Sequence, residues 1–148
     1  MAVKESEFYY GAVLTRLFSA KKDIKISHFP NDSNCAFVLN DSVGLYIKYS
    51  TKRITPWRFS FIKKHQDDIR LMKDLCKKVF LILVCRDNGI AAIEFEDLKK
   101  VLDHNHEDVE WVSASRLRRE KYTIKGSDGK LKFKIGENAF PSQVVESL

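Results

Sequence analysis

The chain has 148 residues, 44% hydrophobic and 31% charged, with only 6 Gly and 3 Pro, a single-domain length with material for a real core. That balance excludes disordered, collagen-like and mucin-like chains. Lys and Arg number 26 against 20 Asp and Glu, and the net charge of +6 turns attention to polyanionic partners.

In chain order, Ser6 followed by Phe8, Ala12, Val13, Leu14, Leu17 and Phe18 spells an amphipathic helix ending near Ala20. Asp23 to His28 alternates, FPNDSN supplies turn chemistry, and the apolar run Cys35 to Leu39 follows, so two strands are expected. After the turn Asn40-Asp41-Ser42 comes a strand from Gly44 to Ser50, with Leu45, Ile47 and Tyr49 on one face and Tyr46, Lys48 and Ser50 on the other. Trp57 to Phe61 returns as another strand beyond Thr55-Pro56, completing a meander of three or four antiparallel strands. Ile62, Ile69, Met72, Leu75 and Cys76 mark the clearest helix. The run Val79 to Cys85 then reads as a strand buried on both faces, paired through Arg86-Asp87-Asn88-Gly89 with Ile90 to Phe95 at the centre of the sheet. A short helix EDLKKVL, a polar loop with His104 and His106, a strand from Val109 to Val112 and a hairpin of Tyr122 to Lys125 with Leu131 to Ile135 follow. The tail after Pro141 is expected to be loose. One domain spans 1–148, with its core over 6–102 and a C-terminal β extension over 109–135.

No apolar run approaches the roughly 20 residues of a membrane span, and MAVKESEFYY lacks the regions of a signal peptide. A soluble cytoplasmic protein with no membrane partner is the expectation. Cys35, Cys76 and Cys85 lack CxxC spacing and read as reduced, structural thiols.

The charge is unevenly spread. Ser42 to Gln66 holds no acid and carries Lys48, Lys52, Arg53, Arg58, Lys63 and Lys64. Ser113 to Lys134 carries Arg116, Arg118, Arg119, Lys121, Lys125, Lys130, Lys132 and Lys134 against Glu120 and Asp128. Each stretch sums to +6 and the remaining residues to −6. Solvated faces explain many such stretches, but the first interleaves Tyr46, Tyr49, Trp57, Phe59 and Phe61 with its cations, the combination that stacks on bases while neutralising phosphates.

Familiar catalytic motifs are missing. There is no GxSxG, no cysteine with an evident histidine partner, and neither GxxxxGK[ST] nor GxGxxG. His104 and His106 have only Asp103, Glu107 and Asp108 beside them, a better description of a solvated loop than of a zinc site.

The order helix, strand, strand, strand, helix, strand, with Lys48 in the third strand of GLYIKYSTKR, resembles the restriction-endonuclease-like PD-(D/E)xK superfamily. The resemblance implies an α+β fold with a mixed, mostly antiparallel sheet flanked by helices, an αβββαβ core here followed by a C-terminal β-hairpin. It also implies Mg²⁺ held by acids near the third-strand lysine, which stabilises charge on a phosphodiester. Lys48 fills the lysine position, Tyr46 stands where the family has an acid, and Asn34 stands where the second strand would bring an Asp. The acids left for catalysis are Asp32, two residues after Pro30, Asp41, and Glu7 (or Glu5) on the first helix.

The reading reached is a nucleic-acid-binding protein on a nuclease-like scaffold with a degenerate or inactive site. Lys48, Lys52, Arg53, Arg58, Lys63 and Lys64 would meet DNA or RNA phosphates, extended by Arg116, Arg118, Arg119 and Lys121, with Trp57 or Tyr49 stacking on bases. The alternatives are a Mg²⁺-dependent nuclease using Lys48, Asp32, Asp41 and Glu7, and a small interaction module whose basic stretches meet an acidic protein.

Overall fold

The computed structural model describes residues 1–31, 33–103, 105 and 110–148. Asp32, His104, His106, Glu107, Asp108 and Val109, named above as candidate acids, loop residues or a strand start, lie outside the described residues. The fold is α+β. Four helices, α1 (Glu5–Ala20), α2 (Lys63–Leu75), α3 (Phe95–Leu98) and α4 (Ala139–Glu146), accompany two sheets. The first sheet has the order β1-β2-β3-β5-β6, from Ile26–His28, Ala36–Leu39, Val43–Ser50, Lys78–Cys85 and Gly89–Glu94. The second has the order β4-β7-β8-β9, from Trp57–Phe61, Glu110–Ser115, Thr123–Gly126 and Gly129–Lys130.

β1, β2 and β3 pair antiparallel, β3 pairs parallel with β5, and β6 returns antiparallel on β5. The parallel step requires a crossover, and β4 with α2 supplies it. The three-stranded antiparallel meander of β1, β2 and β3 is present, but its fourth strand is corrected: Trp57–Phe61 leaves the first sheet and pairs antiparallel with β7 in the second. Its alternation explains the move. Trp57, Phe59 and Phe61 are buried and Arg58 and Ser60 exposed, so the strand offers one apolar face to be covered and one polar face to solvent.

The centre of the first sheet is also corrected, since β3 takes that place and β6 is an edge. Leu45 and Ile47 of β3 join Val13 and Leu17 of α1 and Phe140 and Val144 of α4 in one apolar cluster. Tyr46 on the opposite face joins a second cluster with Trp57, Phe61, Met72, Val112 and Ile124, which binds the two sheets and α2 together. The tail is not loose: Phe140 is 2% and Val144 0% exposed, because the apolar spacing of the last residues closes over α1 and β6. EDLKKVL shortens to a single helical turn at Phe95–Leu98, and β7 runs on to Ser115. The C-terminal hairpin closes through Lys125↔Lys130 and Gly126↔Gly129, with Tyr122 bridging Ile135. All three cysteines are free, and burial pushes the Cys85 thiol up to about 12. No described helix is long and apolar enough to cross a membrane.

Candidate nucleic-acid interface

Side chains alternate along β3, so Lys48 shares the face of Tyr46 and points toward β4 and α2. Its Nζ donates to the Ser60 carbonyl, lies 3.1 Å from His65 Nδ1 and sits 4.4 Å from the centre of the Phe61 ring. The Tyr46 ring is 6.3 Å from His65, and ahead of β2 the Ser33 hydroxyl meets the Cys35 thiol at 2.8 Å. Burial pulls the Lys48 amine down to about 8. It also lowers His65, with the Lys48 charge adding to the effect, and it raises the Tyr46 phenol.

Of the candidate acids among the described residues, Asp41 and Glu7 do not gather here. Asp41 precedes β3 and pairs with Lys25 at 2.9 Å, while Lys48 lies five residues beyond Val43, a rise of roughly 17 Å along the strand. Glu7 sits on α1, across the first sheet from Lys48, and its carboxylate accepts the Lys4 backbone N–H at 3.2 Å. The carboxylates that do cluster lie elsewhere. Asp103, Glu110 and Asp128 bring their oxygens within 4.8 Å of one another, a hard donor set of the kind Mg²⁺ or Ca²⁺ takes. Glu110 accepts Gln66 Nε2 at 2.7 Å, and Asp128 accepts the Asp103 backbone N–H at 2.9 Å. These bonds tie α2 to the start of β7 and the β8–β9 turn to Asp103.

Several expected contacts are corrected by their surroundings. Trp57 is 1% exposed, packed edge-on against Tyr122 with its indole N–H on the Lys52 carbonyl, so it presents no face to a base. Tyr49 is stacked on Tyr9 at 4.5 Å on the α1 side of the sheet. Lys63 and Lys64 spend their charge one helical turn on, against Asp67 at 2.9 Å and Asp68 at 3.1 Å. The Arg116 side chain is only 7% exposed. It donates to Asn88 Oδ1 and to the Asn88 carbonyl, pairs with Glu137 at 3.1 Å and lies 4.2 Å over the Tyr122 ring, which makes it an internal strut.

What remains converges on the second sheet. Register pairs Arg58 with Ser113, Ser113 with Lys125 and Lys125 with Lys130, and paired residues of antiparallel strands share a face. Arg58, Lys125 and Lys130 therefore form one row across β4, β7, β8 and β9, exposed throughout and spanning ~14 Å at ~4.8 Å per strand. None of the three has an acidic partner among the described residues. In the adjoining row, opposite Ser60, the half-exposed Trp111 ring carries the Arg58 guanidinium 4.5 Å above it. The loops holding Lys52, Arg53, Arg118, Arg119 and Lys121, all exposed, meet at one end of this sheet, where the Arg116 N–H donates to Thr55 Oγ1 at 3.1 Å.

Sequence reasoning placed Lys125 and Lys130 in a basic stretch without selecting them, and did not consider Trp111 as a contact. The alternation in VSAS and TIKG, with polar Ser113, Ser115, Thr123 and Lys125 at every second position, was the available signal, and it sets Trp111 on the same face as Ser113. No protein-family model, curated protein or solved structure significantly matches this chain.

Proposed function

We propose that this protein binds single-stranded nucleic acid on the outer face of its second sheet. The observation that carries the reading is the row Arg58, Lys125 and Lys130, without an acidic partner among the described residues and in register beside Trp111. Phosphates pair with the row, a base stacks on the indole under Arg58, and Lys52, Arg53, Arg118, Arg119 and Lys121 extend the cationic surface at one end. An open antiparallel face with an aromatic platform suits unpaired bases better than a duplex groove, which takes an inserted helix or ribbon.

The scaffold we infer is restriction-endonuclease-like. Its support is the succession α1, β1, β2, β3, α2, β5, interrupted between β3 and α2 by β4, which passes to the second sheet, with β3 and β5 parallel and Tyr46-Ile47-Lys48 in the third strand. With a phenol at Tyr46, with Asp41 and Glu7 engaged away from Lys48, and with Asp68, which faces Tyr46 and His65, paired with Lys64, this reading finds no acid set to hold Mg²⁺ beside the lysine among the described residues. Binding without efficient cleavage is the activity proposed.

Fluorescence anisotropy with short labelled DNA and RNA strands tests it. Three phosphate contacts, one for each cation of the row, imply that affinity falls about 20-fold between roughly 50 and 200 mM salt. An affinity that hardly responds to salt removes the proposal, and a stoichiometric acidic protein co-purifying in place of nucleic acid favours the interaction module instead.

A further inference from the structure

Lys48 differs from the other cations of its stretch in being enclosed. Its amine meets Ser60 and Phe61 from β4 and His65 from α2; Tyr46 shares its own face of β3, and Cys35 lies ahead of β2. His65 Nδ1 also faces the Ile62 backbone N–H at 3.4 Å, so this nitrogen is the unprotonated one and a proton acceptor stands against the amine. With its amine drawn down to about 8 by burial, Lys48 is neutral in about a tenth of molecules at pH 7. Lys48 is only partly exposed, and Ser60, whose carbonyl holds its amine, belongs to β4, an edge strand of the second sheet, and has its exposed side chain in the Trp111 row.

We propose that Lys48 is a carbonyl-reactive amine at the rim of this face, and that it condenses with the aldehyde of an abasic nucleotide in a bound strand. The inference rests on the nucleic-acid reading above, because the strand's phosphates on Arg58, Lys125 and Lys130 supply the proximity that a free aldehyde lacks. A nucleotide that has lost its base opens to an aldehyde at C1′. The Lys48 lone pair forms an N–C1′ bond as the C=O π pair moves to oxygen, and His65 Nδ1 takes a proton from nitrogen. Returning that proton to the alkoxide gives the carbinolamine, and a second proton passed from nitrogen to the hydroxyl lets one water leave as the nitrogen lone pair closes the C=N bond of the imine, so no oxidant, reductant or further reactant is needed.

The test treats the full chain with a single-stranded DNA oligonucleotide bearing one abasic site, in the presence of cyanoborohydride, which reduces the imine to a stable secondary amine. The expected adduct maps by peptide mass to Lys48 and disappears in Lys48→Arg. The pH-dependent reactivity of Lys48, referenced to a small-amine control, levels off above pH about 8, where that of an exposed lysine would keep rising toward 10. His65→Ala slows formation while leaving the adduct on Lys48. Wild-type mapping needs no variant to fold. An adduct spread over exposed lysines such as Lys52, or one unaffected by Lys48→Arg, overturns the proposal. If the undamaged oligonucleotide binds with steep salt dependence and no Lys48 adduct forms, the condensation fails and the binding reading stands. If neither oligonucleotide binds and Lys48 traps only free 2-deoxyribose 5-phosphate, the abasic assignment falls together with the binding reading.

Discussion

The outer face of the second sheet and the solvent face of α2 draw cations from the same acid-free stretch, yet they end in different electrostatic states. On α2, Lys63 and Lys64 lie four residues before Asp67 and Asp68, and the helical repeat returns each charge to an acid within 3.1 Å. On β4, Arg58 is carried across the sheet to Ser113, Lys125 and Lys130, and strand pairing adds like charges from distant sequence. A helix couples near neighbours and so tends to cancel a mixed sequence locally. A sheet couples residues dozens of positions apart and accumulates what each strand exposes. Net charge per segment therefore does not identify a binding face, because the secondary structure decides with whom each charge is paired.

Charge reversal is the strongest way to break this comparison. Arg58→Glu with Lys125→Glu should abolish measurable strand binding at physiological salt and lower the slope of log affinity against log salt by about 1.4, at about 0.7 per lost phosphate contact; anisotropy titrations at several salt concentrations check it. Trp111→Ala should weaken binding by about 1–3 kcal/mol, the value of one stacked base, with the salt slope retained; a loss of slope instead would make the ring a mere support for Arg58. Gly126→Ala tests the hairpin that presents Lys125 and Lys130. The Val101 carbonyl occupies the place an added Cβ would take, so denaturant unfolding should show a loss of about 1–3 kcal/mol. Lys63→Ala with Lys64→Ala should change affinity less than about twofold and stability by roughly 0.5 kcal/mol or less, since exposed i,i+4 pairs contribute little; a large binding defect would move the interface onto α2.

The smallest effect concerns acid stability. His65 titrates below its usual 6.5 in the folded chain, so the folded state holds fewer protons than the unfolded one around that pH. Its contribution is complete above about 6.5 and is lost as pH falls through that value toward the lowered native one. The stability difference between the wild type and His65→Asn should accordingly shrink on acidification, as read from unfolding midpoints between pH 7 and 5.

Much of the local structure was legible because period and turn chemistry are local properties. Leu45, Ile47 and Tyr49 against Tyr46, Lys48 and Ser50 told the two faces of β3 apart, and Asp87-Asn88-Gly89 located the β5–β6 turn. Apolar character did not tell which aromatics stack outside and which fill the core. Trp57 and Trp111 both sit in alternating strands, and only packing against Tyr122 buried the first while the second was left under Arg58. Arg116 and Arg118 are two residues apart in one basic run, and Asn88 and Glu137 internalised only Arg116.

The sequence alone determined the mixed α and β content, the side of β3 on which Lys48 stands, and the absence of an acid at Tyr46, since each depends on residue identity or on a repeat of two or a few residues. The tertiary structure decided that Trp57–Phe61 leaves the first sheet, that the last helix closes over α1, and that Arg58 meets Lys125 and Lys130. Those outcomes depend on long-range pairing, where the free energy comes from burying faces whose partners lie far along the chain.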